Sequence, residues 1–283
     1  MGLLSGLSAL GLGNLEKTDD IYKNQEEKKV VRQQNVVEQK APEEQDFTFD
    51  KTYECPVCGK KFKTRTMKSG KAKLIGTDMD LRPKYELIDT LKYDVIACPH
   101  CGYAALTRYF QYVGGIQKKA IVAKICAAYK PQPIEEKEVY TYEEALEQYK
   151  LALANAIVKN AKPSEKAFIC LKSGWLLRGQ AESLHEGDAG YAEKKKELED
   201  GENEYLENAL DGFIAARQSE GFPMCGMDES TVDYLIAVLA MRFGRYETTS
   251  KLVSSILTSR AANPRMKDKA RELKEVLMTK LQG

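Results

Sequence analysis

Four cysteines occur in two matched pairs, and thiolate sulfur is a strong metal ligand. The pairs lie in residues 55–59 and 98–102, and each has the pattern Cys-Pro-X-Cys-Gly. The glycine that ends each pattern allows the chain to turn back, so that backbone N–H groups face the sulfurs. The pairs together supply four ligands for a tetrahedral metal site: Cys55, Cys58, Cys98 and Cys101. Four protein ligands close the coordination sphere and leave no position for water or substrate, which indicates a structural role for the metal.

Two metals suit a site of this kind. Zinc ribbons are the commoner class of protein with such knuckles, so we predict Zn²⁺. Rubredoxin-type iron sites use similar knuckles, and iron is therefore the alternative, which would bring a redox role. Lysines follow the first pair directly at Lys60, Lys61 and Lys63, where their charge would balance the negative charge of a four-thiolate site.

Composition excludes several functional classes. The chain has 283 residues, with 43 basic and 42 acidic side chains and a formal net charge of +1, so no overall field attracts nucleic acid or anionic membrane. No hydrophobic run approaches the roughly 20 residues needed to span a bilayer. The first cation is Lys17, which does not fit the basic start of a secretory signal. The remaining cysteines show no evident disulfide pairing, and we expect a cytoplasmic protein.

Changes of composition along the chain predict three segments. Residues 1–46 contain an apolar tag and then a charged, flexible linker. We expect the tag to dock on the protein itself, on a partner or on a membrane surface. Residues 47–135 are predicted to form a four-cysteine, ribbon-like domain with following helices. Residues 136–283 are predicted to form a helical domain.

The front domain is expected to be a small sheet held together by the metal. Phe47, Phe49 and Tyr53 alternate with polar residues, as in a half-buried strand that leads into the first pair. A second strand over residues 60–66 would complete a hairpin, and residues 93–97 would lead the chain to Cys98. After the second pair, the pattern predicts short helices over residues 104–113 and 116–129.

The rest of the chain is predicted to be a helical array. Thr141 and Glu144 form a capping box at the start of an amphipathic helix. Further apolar stripes predict helices over residues 164–184, 191–218, 229–243, 246–259 and 265–281. Residues 142–152 and 244–256 resemble the second helix of tetratricopeptide repeats, and residues 209–216 show the same pattern more weakly. The predicted fold class is α+β and mostly α, with a zinc-ribbon-like β domain followed by a tetratricopeptide-like array, or alternatively by an unrelated helical bundle.

One stretch is strongly basic. Residues 60–73 contain seven cations and no acid, so their hairpin would offer phosphate contacts to nucleic acid. The other interpretation is a solvated face that balances the charge of the thiolates. The candidate nucleic-acid-binding residues are Lys60, Lys61, Lys63, Arg65, Lys68, Lys71 and Lys73.

The segment between the two pairs concentrates carboxylates, an arginine and tyrosines. We predict a recognition surface there. The alternative is that buried Asp and Arg side chains hydrogen-bond a long loop to the ribbon. Without a nucleophile–base pair or a ligating histidine, the sequence offers no catalytic residue. The candidate recognition residues are Asp78, Asp80, Arg82, Tyr85, Tyr93 and Asp94.

Several motifs together resemble one known family. They are the two cysteine pairs, the intervening residues 78–85 and 92–96, the continuation at residues 102–105, and the closing helices. This combination is similar to an uncharacterised bacterial family, domain of unknown function 2225. The resemblance covers approximately residues 47–281. It implies a cytoplasmic bacterial protein with a zinc-ribbon-like front and tetratricopeptide-like helices, but it implies no reaction and no substrate.

The function expected from these observations is that of a metal-stabilised scaffold or adaptor. The thiolate site would hold the small sheet, and the helical array would bind a protein or peptide partner. A nucleic-acid-binding regulator that uses the basic hairpin is the main alternative. A rubredoxin-like redox protein or a metal-dependent enzyme is a third interpretation.

Overall fold

Six short strands form three separate antiparallel hairpins in the computed structural model, which describes residues 41–131 and 137–282. The predictions for the apolar tag therefore lie outside the described residues. The expectation of one small sheet is wrong, because each strand pairs only within its own hairpin. The hairpins are β1 (Thr48–Glu54) with β2 (Lys61–Met67), β3 (Leu74–Thr77) with β4 (Pro83–Tyr85), and β5 (Val95–Ala97) with β6 (Ala104–Leu106).

The helix predicted for residues 104–113 is wrong, because residues 104–106 form strand β6 and residues 107–111 form turns. Val95 pairs with Leu106, and Ala97 pairs with Ala104. All three residues of β6 are buried. A short run of apolar residues that are all buried shows no alternation with polar residues. The sequence alone therefore does not distinguish a strand from a helix here. Pairing with β5 decides in favour of the strand.

Seven α-helices follow in the described part of the chain. The capping box is confirmed, because Glu144 N–H donates to Thr141 Oγ1 at 3.2 Å and Thr141 N–H donates to Glu144 Oε2 at 2.9 Å. The fold class, α+β and mostly α, is also confirmed. The helices are α1 (Gly115–Ile121), α2 (Tyr142–Val158), α3 (Pro163–Glu182), α4 (Tyr191–Ser219), α5 (Glu229–Arg242), α6 (Tyr246–Thr258) and α7 (Pro264–Gln282), and a π-helical turn (Val122–Cys126) follows α1.

Helix α3 lies between α2 and α4 and forms the centre of the largest hydrophobic core. Leu171 and Leu176 of α3 are almost fully buried in this core. Val95 and Leu106 of the β5–β6 hairpin belong to the same core, so the second cysteine hairpin is attached to the helices by apolar packing. A second core joins α5, α6 and α7.

Within the described ranges, no helix is both long enough and apolar enough to cross a bilayer. The helices instead place their apolar residues against one another, as the cores show.

Helices α3 and α4 approach closely at a glycine. A Cβ at Gly212 would lie 2.8 Å from the Cβ of Ala167 and 3.3 Å from its Cα. A Cβ at Gly201, on the same helix, would meet only the end of the flexible Leu177 side chain, at 3.2 Å. The two glycines therefore form a matched pair. They have the same helix propensity, but the space for an added Cβ is smaller at Gly212 than at Gly201.

We expect Gly212→Ala to lower the free energy of unfolding by about 1–3 kcal/mol, because the overlap with Ala167 outweighs the helix propensity of alanine. Gly201→Ala should be neutral or stabilising by up to about 1 kcal/mol. Urea unfolding of the two variants measures the difference. Equal stability of the variants would contradict the close packing of α3 on α4.

Candidate metal centre

The turns after β1 and β5 have the same backbone geometry. Gly59 N–H donates to Cys55 O at 2.8 Å, and Gly102 N–H donates to Cys98 O at 3.0 Å. The two glycines have φ values of +73° and +74°. This left-handed conformation is readily adopted by glycine, which explains why each pair ends in that residue. The chain therefore forms the same knuckle twice.

The knuckles bring the four cysteine sulfurs together. Cys55 Sγ lies 3.7 Å from Cys101 Sγ, and Cys58 Sγ lies 3.7 Å from Cys98 Sγ. All four sulfurs lie within 4.8 Å of one another. A disulfide needs about 2.05 Å, whereas a tetrahedron with Zn–S bonds of about 2.3 Å has sulfur–sulfur edges of about 3.8 Å. The arrangement thus fits a single tetrahedral metal ion.

The electrostatics of the cluster also favour a cation. Hydrogen bonds with Cys55 and Cys98, together with burial, raise the pKa of Cys101. Hydrogen bonds from Cys101 and Cys55 lower the pKa of Cys98. In a cluster this close, a thiolate is stabilised by neighbouring thiols that keep their protons. A bound cation would allow the other thiols to ionise as well, since metal ligation stabilises the thiolate form.

An aromatic and aliphatic shell supports the knuckles. The rings of Tyr103 and Phe110 are 5.1 Å apart between centroids, and Phe62 lies 6.1 Å from Phe110. Tyr103 Oη donates to the carbonyl of Phe110 at 2.9 Å, which satisfies its buried hydroxyl. Asn155 of α2 donates from Nδ2 to Gly102 O at 2.9 Å. The candidate metal site is therefore connected to α2 by a buried hydrogen bond.

A fifth cysteine lies beside the cluster. Cys126, at the end of the π-helical turn, packs against the core that contains Cys55, Cys98 and Cys101. Burial raises the pKa of the Cys126 thiol, and its hydrogen bond with Cys101 opposes this rise. The spacing of Cys126 from the two cysteine pairs carries no signal, so the sequence does not assign it to the site. Its sulfur is not one of the four close ligands.

One family model matches most of the chain. A family model described as "Uncharacterized protein conserved in bacteria (DUF2225)" matches residues 48–277. The chain belongs to this family. The match begins at β1 and reaches α7, so it includes both knuckles. Comparison with curated proteins found no match, and neither did comparison with solved structures.

In this DUF2225 chain, the three candidate recognition residues of the loop between β3 and β4 contact α3. Asp80 accepts hydrogen bonds from Trp175 Nε1 at 2.9 Å and from Arg178 Nη2 at 2.6 Å. Arg178 Nη1 also donates to Asp78 at 2.9 Å, and Arg82 Nη2 lies 2.5 Å from Glu182. The loop between β3 and β4 is thus anchored to helix α3. The structural interpretation of the sequence had predicted that its Asp and Arg side chains would hydrogen-bond to the cysteine ribbon instead.

The other three candidates have different surroundings. Tyr93 donates to Glu44 Oε1 at 2.7 Å, and its ring stacks on Tyr140. Asp94 forms an ion pair with Lys172 of α3. Tyr85 lines a cavity beside the β3–β4 hairpin. The six residues therefore do not form one continuous cluster of shared contacts, and recognition by them stays a prediction.

The basic hairpin carries acids opposite its bases. The β1–β2 register places Glu54 opposite Lys61, and Asp50 opposite Arg65. Arg65 Nη1 lies 3.2 Å from Asp50. Two further cations have local partners, since Lys68 donates to the carbonyl of Asp46 and Lys73 lies 3.1 Å from Glu86. The ion pairs of Arg65 and Lys73 and the acids opposite the strand weaken the positive field of the hairpin. Five of its cations form no ion pair among the described residues: Lys60, Lys61, Lys63, Lys68 and Lys71.

The ligand assignment predicts the effect of single serine substitutions. We expect Cys58→Ser and Cys101→Ser to lose most of the bound metal and to unfold the cysteine hairpins, because metal-binding free energy at a structural site is largely folding free energy, on the order of 10 kcal/mol. Metal analysis and thermal unfolding measure both effects. Cys126→Ser is the control and should keep its metal. Full metal content in Cys58→Ser would contradict the four-cysteine site.

The two knuckle glycines give a second matched comparison. Alanine at either position is expected to cost about 1–2 kcal/mol from the positive φ. A Cβ at Gly102 would also overlap the ring of Tyr129, whereas nothing lies within 4 Å of a Cβ at Gly59. Gly102→Ala should therefore be more destabilising than Gly59→Ala by about 1–3 kcal/mol, measured by thermal unfolding of the metal-loaded proteins. The reverse order would show that the second knuckle is packed differently.

Proposed function

We propose that this protein is a zinc-stabilised adaptor that binds a helical segment of a protein partner and catalyses no reaction. The sulfur geometry supports zinc, because closed tetrahedral thiolate sites are the common structural form of that metal. Iron in the same site would give a coloured, redox-active protein, which distinguishes the two metals on purification.

The observation that carries the proposal is a groove between helices. Helices α2 and α4 form its two walls and α3 forms its floor, around a volume of about 950 Å³. Ile157 lines this groove and is 60% exposed to solvent. Leu146 and Leu153 belong to the same stripe of α2, at helical spacing, and Leu198 and Tyr205 line the facing wall. An exposed apolar stripe within a groove of this kind is typical of sites that bind amphipathic helices.

Charges on the rim define the partner further. Lys150 and Lys166 lie on the α2 and α3 side of the groove. Glu197, Asp200 and Glu204 lie along α4, three and four residues apart, and therefore share one face of that helix. None of these five side chains forms an ion pair within the described parts of the chain. The complementary occupant is a helix with an apolar face, basic residues towards α4 and acidic residues towards α2.

Nucleic acid is the competing partner, through the basic hairpin. The cross-strand acids described above reduce the support for that interpretation. A protein partner and a nucleic acid differ in which surface they contact, so one crosslinking experiment can separate them.

The proposal is tested with a photo-crosslinking amino acid at position 157 in bacterial cells. The control position is Ile116, which is 87% exposed and lies outside the groove. We expect nuclease-resistant adducts at position 157 and few or none at position 116. Mass spectrometry should map each adduct to an amphipathic segment with basic residues beside its apolar face.

A charge reversal completes the test. Replacing Glu197, Asp200 and Glu204 by lysine should reduce the adduct yield at position 157 by about tenfold, because like charges would then face the basic edge of the partner. All three side chains are exposed, so the fold should persist. Equal yields at positions 157 and 116, or adducts that nuclease removes, would contradict the proposal.

A further inference from the structure

A partly exposed helix lies against the core of the cysteine cluster. Helix α1 and the π-helical turn that follows it occupy residues 115–126. Ile121 is buried in that core, and Ile125 packs against it from the π-helical turn. The inner side of this segment is therefore fixed by apolar packing, and its outer side is exposed.

The outer side carries apolar side chains in water. Ile116 is 87% exposed and Tyr112, just before the helix, is 77% exposed, which makes them the two most exposed large apolar residues of the described chain. Val122 is 45% exposed. Ile116, Lys119 and Ala123 lie three and four residues apart, and Val122 lies three residues after Lys119, so all four share one face. Apolar surface concentrated in this way marks an interaction site.

The charge around this face has one sign. Between Asp94 and Glu135 the sequence contains no acidic residue. At about 3.6 residues per turn, Lys118 and Lys124 lie on opposite edges of the apolar face, and Lys119 lies within it. None of these three lysines forms an ion pair among the described residues. The face is thus locally basic, although the net charge of the whole chain is only +1.

Neighbouring elements change this local charge little. Gln111 Nε2 donates to the carbonyl of Glu54 at 3.5 Å, which places strand β1 beside the start of the segment. Glu54 lies opposite Lys61 in the β1–β2 register, so that pair adds no net charge. Arg108 is engaged elsewhere, because its Nη1 donates to the carbonyl of Cys225 in the loop before α5. The three lysines of the helix therefore determine the charge of its outer face.

An anionic membrane surface fits this combination better than a nucleic acid does. Both would attract the lysines. Ile116 and Val122 are aliphatic and do not stack on bases, so a nucleic acid would leave them in water. The headgroup region of a bilayer would cover them, and the amphipathic ring of Tyr112 suits the same region. Helices with an apolar face bordered by lysines are typical of segments that lie in the plane of a membrane.

We propose that the outer face of residues 112–124 binds the surface of an anionic lipid bilayer. Tyr112, Ile116 and Val122 insert among the headgroups, and the three lysines contact lipid phosphate groups. The helix lies in the membrane plane and does not cross the bilayer. Because α1 packs on the core of the cysteine cluster, this contact brings the two cysteine hairpins to the membrane. The groove between α2 and α4 has no lining residue in this segment, so the two proposals can fail separately.

Co-sedimentation of the metal-loaded full chain with lipid vesicles tests the proposal. We expect vesicles of phosphatidylglycerol and phosphatidylcholine to bind the protein at least about tenfold more tightly than vesicles of phosphatidylcholine alone, because each lysine near an anionic surface contributes roughly fivefold in affinity. Absence of binding to the anionic vesicles at about 0.15 M salt would overturn the proposal. Equal binding to both kinds of vesicle would also overturn it.

One apolar substitution locates the contact. Ile116→Asn should weaken binding to the anionic vesicles by about tenfold, because a polar side chain gains nothing on entering the headgroup region. Ile157→Asn is the matched control, since Ile157 is an exposed isoleucine on α2, and it should bind as the unmodified protein does. Both side chains are exposed, so both variants should fold. Undiminished binding in Ile116→Asn would place the contact elsewhere, for example in residues 1–15, and would overturn the proposal.

Two triple substitutions test the role of charge. Each replaces three lysines by glutamine and so changes the net charge equally. The variant of α1 should bind anionic vesicles at least about tenfold more weakly, whereas the variant of α4 should bind within about twofold of the unmodified protein. Equal affinities of the two variants would contradict the proposed surface. The changed residues are Lys118, Lys119 and Lys124 in α1, and Lys194, Lys195 and Lys196 in α4.

Fluorescence reports insertion directly. The chain has one tryptophan, Trp175, which is buried and supplies a constant background. The emission of Ile116→Trp should shift to shorter wavelength on anionic vesicles, and that of Ile157→Trp should not shift. An unchanged spectrum at position 116 would contradict insertion. Photo-adducts of lipid at position 116 carry no peptide, so that position remains a valid control for the groove.

Single-stranded RNA of mixed sequence is the competing ligand in the same assays. We expect any RNA binding at about 0.15 M salt to be equal in the two triple-lysine variants. RNA binding that is lost only in the α1 variant, together with no binding to anionic vesicles, would assign the surface to nucleic acid and overturn the proposal.

Discussion

The arrangement of the front half of this protein depends on one cluster of four cysteine sulfurs, two from each of two hairpins. The β1–β2 and β5–β6 hairpins share no β-ladder, and an isolated two-stranded hairpin is marginally stable in water. Their sulfurs nevertheless lie at the separations of a tetrahedral site. A cation at the centre would join the hairpins by bonds much stronger than the local packing, which explains how so little sheet can hold a fixed position.

The second knuckle also connects this centre to the helices. Asn155 of α2 binds the Gly102 carbonyl, and Val95 and Leu106 of the same hairpin lie in the core around α3. Helix α3 in turn holds the intervening loop through Trp175 and Arg178 and forms the floor of the groove. The metal centre, the loop and the groove therefore depend on one buried helix. A buried floor of this kind would suit the helix-binding groove that we propose.

Local signals in the sequence were sufficient for much of this structure. The spacing and the glycines of the cysteine pairs predicted the knuckles, because a knuckle is a local turn. Thr141 and Glu144 predicted the start of α2, and the apolar stripes predicted α3 to α7. The failures involved contacts between distant residues. Residues 104–106 became a strand only through pairing with β5, and Asp80 binds Trp175, which lies 95 residues further along the chain. Neither contact produces a periodic pattern in the sequence, so neither could be predicted from it.

The central claim is that a metal ion at the four cysteines holds the two hairpins together and against the helices. Amide hydrogen exchange of the metal-loaded protein, compared with the protein after chelation, tests it most directly. The account predicts that chelation removes protection from residues 48–67 and 95–106 and reduces it in α2 near Asn155. Protection should stay high in α6 and α7, which pack in a core that contains no residue of either cysteine hairpin. Unchanged protection in both hairpins after complete removal of the metal would contradict the claim.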